Sequence, residues 1–432
     1  MVVTLTLLLT SAILIVNPSI VGVGSAALIV ALVWCGRREA YPFNPYYLFL
    51  LTPISLLLYA PSVSARFIPE LSVDTQLMIV AGNFAYLGGL LSVRGFTIRF
   101  EPQKRPRYSF FLILVLGLIP HALGILAAGV PLLANDVNAA RAAYAIPILG
   151  QFNIFLPLAI IVAFQMERRD LVLLSIVLNL FFSIIVVAKF NIMFVILYII
   201  FAYFRYDGKN MFKIRPLYLV LVVLFCTPFI FSYIFAARTS LDQWQYNWWN
   251  YIRFGNAALD ALGNYLYLPY LYLTAPWSNF SYVIEIGSPY TFGARLLHPL
   301  LSVFQMDWLL DIPPKGIRNE GWNTYAYLAD FYLDFGVAGI ILLPYLLGAA
   351  VKWAYARAHA SGDAMDDGIW VNFAFASFTL FFSNHFTTLS YVIVALLLFN
   401  VVRVSRLIFG LNRPGQPQMH SLSPTEATAR EL

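Results

Sequence analysis

The sequence carries little charge. Only 11% of its 432 residues are Asp, Glu, Lys or Arg, whereas 60% are hydrophobic, 16% are aromatic and the mean hydropathy is +0.75. Soluble domains usually contain about 25% charged residues, so the composition excludes an ordinary soluble domain. It predicts an all-α, polytopic integral membrane protein.

Cysteine is almost absent as well. Cys35 and Cys226 both lie in apolar runs, which excludes a disulfide framework and a cysteine-based metal site. The sequence has no HExxH, CxxC, P-loop or dinucleotide-binding pattern, so neither a bound metal nor another cofactor is predicted. The net charge of +6 is assigned to basic cytoplasmic loops and not to a nucleic-acid partner.

Apolar runs that approach the length of a membrane span recur along the chain. A helix needs roughly 17–25 apolar residues to cross a bilayer. About twelve spans are predicted, at 2–17, 19–35, 45–61, 75–93, 108–130, 148–165, 171–187, 190–204, 216–236, 326–351, 369–385 and 387–402. The first is interpreted as a membrane helix, because no basic segment precedes it and further spans follow.

The basic residues predict the orientation, because cytoplasmic loops are enriched in Lys and Arg. With both termini cytoplasmic, all but eight of the 27 Lys and Arg residues fall in cytoplasmic loops or in the tail. Residues 1–410 then form one membrane domain, and the tail 411–432 is predicted to be disordered. Two periplasmic loops are long, 131–147 and 237–325. The second is rich in aromatic residues and is predicted to form short amphipathic or half-inserted helices lying against the membrane.

Eight basic residues lie on the predicted outer side, where the enrichment of Lys and Arg in cytoplasmic loops would not place them. They are Arg66, Arg141, Lys189, Arg238, Arg253, Arg295, Lys315 and Arg318. Converging arginines suit a phosphate or pyrophosphate group, because the planar guanidinium makes paired charge-assisted hydrogen bonds to phosphate oxygens. For any single one of them, the alternative is an exposed loop residue or a salt bridge.

Three of the candidate residues lie in local patterns that predict a helix or a proton-transfer role. Arg141, in AARAAY, is predicted to lie on a short helix that begins at Asn135 or Asp136 and ends near Pro147. Arg295 and His298 are three residues apart, so a helix would present both on one face. Histidine is suited to proton transfer near neutral pH, although in an apolar setting it is more often structural.

Two carboxylates open the predicted span 326–351, in NTYAYLADFYLDFGVAG. Asp330 and Asp334 are four residues apart and share one helix face. Asp330 is predicted to be a helix-start or salt-bridge carboxylate. Asp334 lies deeper and is expected to meet either an outer arginine or a substrate hydroxyl. Gly336 and Gly339 are expected to thin the helix, so that a neighbour or a lipid chain can approach closely.

The segment YLDFGVAG at 332–339, after an Asn/Thr-containing entry and before an apolar span, resembles the Wzy-type polymerases of bacterial surface polysaccharides. The segment GVPLL at 129–133, followed by Arg141, Pro147 and Gly150, looks like the first long outer loop of that family. The plan of many spans with a large late loop is also similar. The related O-antigen ligases carry a histidine before a Gly-x-x-Gly, and this sequence lacks it.

The resemblance implies a metal-independent membrane glycosyltransferase of glycosyltransferase-C-like architecture in the bacterial inner membrane. It would polymerise undecaprenyl-pyrophosphate-linked oligosaccharide repeat units into O-antigen, capsule or exopolysaccharide at the periplasmic face. The implied partners are these lipid-linked oligosaccharides, membrane lipids, a chain-length regulator and a flippase.

The expected site residues follow from this reading. The pyrophosphate and sugar are expected to bind at Arg141, Arg238, Arg253, Arg295, Arg318 and Asp330, and catalysis is expected to use Asp334, His298 and Arg238. Two alternatives stay open: an O-antigen ligase-like transferase, and a transporter or flippase of lipid-linked saccharides. Transporters tend to have repeated halves with ionisable groups at mid-membrane. This sequence has no such repeat, and its unusual charges gather at one face.

Overall fold

Helices make up all the regular secondary structure in the described part of the chain. A computed structural model describes residues 19–39, 41–59, 69–93, 108–146, 148–206, 211–212, 257–316, 324–388 and 391–408. Its helices are α1 (Ile20–Gly36), α2 (Pro45–Phe49), α3 (Leu51–Leu57), α4 (Val73–Ser92), α5 (Phe110–Ala128), α6 (Val137–Tyr144), α7 (Phe155–Gln165), α8 (Arg169–Ile185), α9 (Lys189–Arg205), α10 (Ala257–Glu285), α11 (Ala294–Val303), α12 (Leu328–Ser361), α13 (Ala364–Phe378), α14 (His385–Thr388) and α15 (Tyr391–Ile408). Short 3₁₀ turns lie at Pro131–Leu133, Leu149–Ile154 and Asp307–Leu309. The predicted all-α class is confirmed for these residues.

Two of the described helices are long and apolar enough to cross a membrane. They are Phe110–Leu133 and Leu328–Ser361, and a third span is reached if Val137–Tyr144 and Leu149–Gln165, bent by 93°, form one broken span. These helices are compatible with an integral membrane protein. The predicted spans 2–17 and 216–236 lie outside the described residues, and the number twelve stays a prediction.

Several helix boundaries differ from the predicted spans. Span 45–61 divides into α2 and α3, span 148–165 begins as a 3₁₀ turn, and the helix predicted at 369–385 instead runs from Ala364 to Phe378. The shift of α13 has a local cause. The carboxylate of Asp363 accepts a hydrogen bond from the backbone N–H of Met365 at 2.9 Å, so the helix begins in a polar stretch that hydropathy alone excludes from a span.

The pairing of α4 with α12 organises the core. A Cβ atom on Gly89 would lie 1.9 Å from the carbonyl oxygen of Tyr345, and one on Gly348 would lie 2.2 Å from the carbonyl oxygen of Tyr86. The two backbones therefore touch, which only glycine allows at these positions. This contact fixes α12 in the middle of the helix bundle.

α12 is not one continuous helix. Phe335 (φ −140°, ψ 17°) and Gly336 (φ 61°, ψ −144°) leave the helical conformation. A Cβ atom on Gly339 would lie 2.1 Å from the carbonyl oxygen of Phe331, so the chain folds closely back at the break. The glycines of the YLDFGVAG segment therefore serve an interruption of the helix. The predicted close approach of a neighbour is confirmed at Gly336, where an added Cβ would lie 2.8 Å from the Tyr290 hydroxyl oxygen, but the break was not predicted.

The predicted outer loop 237–325 contains a long helix, part of which is buried in the bundle. α10 has 29 residues, and residues 274–281 are buried on every side. The Tyr270 hydroxyl donates to the Leu58 carbonyl at 2.9 Å, and Asn279 Nδ2 donates to the Thr324 carbonyl at 2.8 Å. The prediction of short amphipathic helices is wrong for this part of the loop. Because Tyr270 and Asn279 have hydrogen-bond partners inside the bundle, this part of α10 can be buried.

Helix ends that were predicted to be cytoplasmic come together at one end of the bundle. Arg357 and Arg403 both pair with Asp366, at 2.7 and 3.0 Å, and Lys352 pairs with Glu39. These pairs lie near the last turns of α12 and the start of α13. The first turns of α12 therefore lie at the opposite end, which is the end predicted to face outward.

Candidate functional site

Asp334 lies at the break in α12 and caps α11. Its Oδ1 accepts from the Thr291 hydroxyl at 2.5 Å and from the backbone N–H of Arg295 at 3.2 Å, and its Oδ2 accepts from the backbone N–H of Leu296 at 3.0 Å. The first N–H groups of a helix have no partner within the helix. The N-cap of α11 is Gly293, which makes no side-chain cap hydrogen bond. A carboxylate from another helix therefore does what an N-cap side chain normally does.

The break in α12 is satisfied by the same segment of chain. The carbonyl oxygens of Leu333 and Asp334 accept from the backbone N–H groups of Thr291 and Phe292, at 2.7 and 3.1 Å. A helix that stops leaves its last carbonyl groups without partners, and residues 291–292 supply them. The end of the first part of α12 and the start of α11 thus satisfy each other's hydrogen-bonding groups, which fixes the position of Arg295 relative to Asp334.

Arg295 is buried beside this junction. It is only 6% exposed, and its Nη2 donates to the Pro313 carbonyl at 2.7 Å. Among the described residues its Nε has no hydrogen-bond partner, and its guanidinium forms no ion pair with any described carboxylate. A buried cation without a counter-charge is costly. Arg295 is therefore the strongest candidate for binding an anion.

A second cation, Lys315, is neutralised within the protein. Its Nζ lies 2.5 Å from Asp330 Oδ1, with side chains 14% and 4% exposed. The other carboxylate oxygen of Asp330 accepts from the Thr387 hydroxyl at 2.7 Å. Asp330 is thus a salt-bridge carboxylate, as predicted. Burial raises the pKa of Tyr325 to about 12, so its hydroxyl stays protonated and donates to the Lys315 carbonyl at 3.1 Å.

The short helix α14 joins the charged cluster to an aromatic one. His385 is 3% exposed, and its ring centre lies 5.7 Å from that of Phe375 and 5.9 Å from that of Tyr391. Thr387, two residues further along, binds Asp330. Within one turn, α14 therefore contacts aromatic rings through His385 and the Asp330 carboxylate through Thr387.

Arg141 lies on α6, which confirms the predicted short helix. The Asp136 carboxylate caps it by accepting from two backbone N–H groups of the first turn, both at 3.0 Å. The last residue of α6, Tyr144, is buried, and its hydroxyl lies 3.0 Å from His121 Nδ1 on α5. This hydrogen bond joins α6 to α5 and holds it on the bundle.

No family model, curated protein or solved structure matches this chain. The family resemblance therefore rests on the sequence segments quoted above. Any function has to be argued from the site itself.

The structure brings together three of the predicted site residues: Arg295, Asp330 and Asp334 lie around one junction. His298 follows Arg295 by one turn of α11 and is partly exposed, so the predicted shared helix is confirmed. Arg141 lies on a separate helix. The remaining predicted residues, Arg238, Arg253 and Arg318, lie outside the described residues.

Sequence reasoning missed the residues that complete the junction. Thr291 binds the Asp334 carboxylate, Pro313 offers its carbonyl to Arg295, and Thr387 binds Asp330. The sequence did single out Lys315, since it is one of the basic residues on the predicted outer side. It could not single out Pro313, because the group that binds Arg295 is a backbone carbonyl, which every residue has.

Proposed function

We propose that this chain polymerises undecaprenyl-pyrophosphate-linked oligosaccharide repeat units at the outer face of the bacterial inner membrane. In this proposal about twelve spans cross the bilayer and both termini are cytoplasmic. The observation that carries the proposal is Arg295, a buried guanidinium without a described counter-charge. A diphosphate would supply that charge through paired hydrogen bonds.

The proposed reaction transfers a growing saccharide from one lipid carrier to the next repeat unit. A hydroxyl oxygen of one lipid-linked unit attacks the anomeric carbon of the other chain. The bond between that carbon and the pyrophosphate oxygen breaks, undecaprenyl pyrophosphate leaves with the electron pair, and the hydroxyl proton passes to a base. Negative charge develops on the leaving oxygen, and a fixed guanidinium stabilises it.

Within this proposal the two candidate catalytic residues near Arg295 have different roles. The Asp334 carboxylate accepts from Thr291, Arg295 and Leu296, so it positions Arg295 and is not the proton acceptor. His298 is partly exposed one turn further along α11. It is the proposed base, because an imidazole accepts a proton near neutral pH.

One observation favours a second candidate, a transporter of lipid-linked saccharides. Transporter sites are typically built at discontinuous helices whose ends face the substrate, and α12 is broken at Phe335 and Gly336. Here, however, the carbonyl groups freed by the break bind residues 291–292 of the same chain. That occupancy favours an enzyme with a fixed site.

The test is the pattern of surface polysaccharide on a gel from cells that carry single substitutions. Arg295→Gln is expected to remove the ladder of long chains while single repeat units still reach the surface, and Arg295→Lys should keep part of the ladder. Arg168→Gln, at an exposed arginine, is the control. A normal ladder from Arg295→Gln at normal protein level contradicts the proposal. Loss of single units as well indicates a transporter.

A further inference from the structure

A cavity of about 220 Å³, lined by both polar and apolar side chains, lies at the end of the bundle that carries α6. It lies among α5, α7, α8, α9, α13 and α15. Its polar lining residues are His121, Asn153, Asn179, Ser183, Asn191 and Tyr391. Through Phe375 and Tyr391, whose rings contact His385, it adjoins the helix that binds Asp330. The cavity is thus a neighbour of the charged junction and separate from it.

The lining divides into a buried floor and an exposed rim. His121, Asn179 and Ser183 are 7%, 3% and 4% exposed, whereas Asn153 and Asn191 are exposed. A ligand would enter past the two rim amides and meet the floor residues last. This arrangement places hydrogen-bonding groups at both depths of the cavity.

The floor residues offer hydrogen-bond acceptors. Asn179 Nδ2 donates to the carbonyls of Leu156 and Ser175, at 3.0 and 2.8 Å, and the Ser183 hydroxyl donates to the Asn179 carbonyl at 2.7 Å. These bonds use the donors of both side chains and leave their side-chain oxygens as acceptors. On the wall, the Tyr391 hydroxyl is buried without a hydrogen-bond partner among the described residues.

The lining suits a neutral ligand that has both hydrogen-bonding groups and apolar faces. None of the lining residues is Asp, Glu, Lys or Arg, so no counter-charge is available for a phosphate. An acyl chain would leave the polar groups unpaired, which is unfavourable. The rest of the lining is apolar and comprises the aromatic rings of Phe182, Phe194 and Phe375 and the side chains of Ile154, Leu156, Pro157 and Val195. Amides, hydroxyls and an imidazole beside aromatic rings match a sugar ring, whose edge carries hydroxyls and whose faces carry C–H groups.

The size and position agree with one sugar ring. Drug-sized ligands occupy pockets of about 300–1,000 Å³, so 220 Å³ suits a monosaccharide better than a whole repeat unit. His121 on the floor binds Tyr144 of α6, and Arg141 precedes Tyr144 by one turn. The cavity therefore adjoins the helix that carries Arg141, one of the residues predicted to bind the pyrophosphate.

We infer that this cavity is an uncharged subsite that binds one monosaccharide residue of the lipid-linked repeat unit. The identity of the saccharide rests on the proposed function. The binding chemistry rests on the cavity itself.

Saturation-transfer NMR on the full chain in lipid nanodiscs tests the inference. The probe is the lipid-free repeat-unit oligosaccharide of the source strain, and undecaprenyl phosphate is the competitor. Ser183→Ala and Asn191→Leu are each expected to weaken oligosaccharide binding about 2- to 12-fold, the effect of one hydrogen bond. Ser175→Ala is the matched control, because Ser175 is a buried serine of α8 that donates to the carbonyl four residues earlier, as Ser183 does, but lies outside the cavity lining.

Three results would overturn the inference. The first is that Ser183→Ala and Asn191→Leu bind the oligosaccharide as tightly as wild type. The second is that Ser175→Ala weakens binding as much as they do. The third is that undecaprenyl phosphate displaces the oligosaccharide, which would assign the cavity to the lipid chain. A parallel polymerisation assay keeps the two claims apart. If the protein forms polymer but the cavity substitutions do not change its oligosaccharide binding, only the subsite is contradicted. If the substitutions weaken binding but the wild-type protein forms no polymer, the subsite is supported and the polymerase proposal is contradicted.

Discussion

At the scale of single residues, the two carboxylates at the start of α12 have different partners. Asp330 pairs with the ammonium group of Lys315, whereas Asp334 accepts from a hydroxyl and from two backbone N–H groups of α11. The first is an ion pair between side chains, and the second is a helix cap. Substitutions at the two positions should therefore have different consequences.

Asp334→Asn is expected to destabilise the protein by about 1–3 kcal/mol, because an amide presents N–H groups to partners that are all donors. Asp136→Asn is the control. Asp136 caps the exposed helix α6, and Asn serves as well as Asp at an N-cap, so little change is expected there. Thermal unfolding of the purified variants in one detergent measures both. An Asp334→Asn protein as stable as wild type would show that the cap contributes nothing.

Lys315→Met should destabilise the protein by about 3–5 kcal/mol, because it leaves the buried Asp330 carboxylate without its cation. Adding Asp330→Asn should recover most of the loss, so the double substitution is milder than the sum of the two single ones. The control is Arg168→Met, since the pair of Arg168 with Asp170 is exposed and its removal should not be measurable. Strictly additive effects of the Lys315 and Asp330 substitutions, measured by denaturant unfolding, would contradict the ion pair.

At the scale of elements, the break in α12 is the feature from which the site follows. The break ends the first part of the helix at Asp334, and the freed groups on both sides bind the segment before α11. Helix ends normally need caps or water. Here each end satisfies the other, and Arg295 is held in place as a result.

Gly336→Ala is expected to lower stability by about 1–3 kcal/mol. Gly336 has φ 61° and ψ −144°, and an added Cβ would lie 2.8 Å from the Tyr290 hydroxyl oxygen. Gly88→Ala is the matched control within α4, where the new Cβ would meet only Tyr345, at an ordinary 3.6 Å. Alanine favours a helix over glycine, so Gly88→Ala should be neutral or stabilising. Equal melting temperatures for the two variants would mean that the break is not required.

The sequence predicted the elements better than the junction between them. Hydropathy located α4 and α5 to within a few residues, because both are continuous apolar helices. The break in α12 was not predicted, since the conformation of Gly336 depends on Thr291 and Phe292, more than forty residues earlier in the chain. The burial of α10 was missed for the same reason, because Trp277 and Asn279 form hydrogen bonds with residues distant in sequence, Ser55 and Thr324.

At the scale of the whole molecule, the two ends of the bundle differ in whether their buried or partly buried arginines pair with carboxylates among the described residues. At one end, Arg357 and Arg403 share the carboxylate of Asp366. At the other, Arg295 has no described counter-charge. The predicted topology explains basic residues at the end that is predicted to be cytoplasmic. It does not explain a buried arginine at the end that is predicted to face outward, so the proposed function depends on this orientation.

Cysteine labelling tests that orientation. Cys35 and Cys226 are replaced by serine, and one cysteine is introduced at Asn138, exposed on α6, or at Arg168, exposed at the opposite end. A membrane-impermeant maleimide is expected to label Asn138→Cys in cells with a permeable outer envelope and an intact inner membrane. Arg168→Cys should react only after that membrane is opened. The reverse pattern would place Arg295 in the cytoplasm and remove the basis of the proposed function.

Reconstitution of the purified chain with lipid-linked repeat units tests the proposed polymerase activity. Wild-type protein in liposomes is expected to join undecaprenyl-pyrophosphate-linked units into long lipid-linked chains without ATP. Arg295→Gln is expected to lose at least tenfold in rate while Arg168→Gln does not, since removal of one oriented donor costs about 10²–10³ in rate in well-studied cases. The proposed activity would be contradicted if repeat units stay single in the presence of folded wild-type protein. An unchanged rate for folded Arg295→Gln would contradict the proposed role of Arg295.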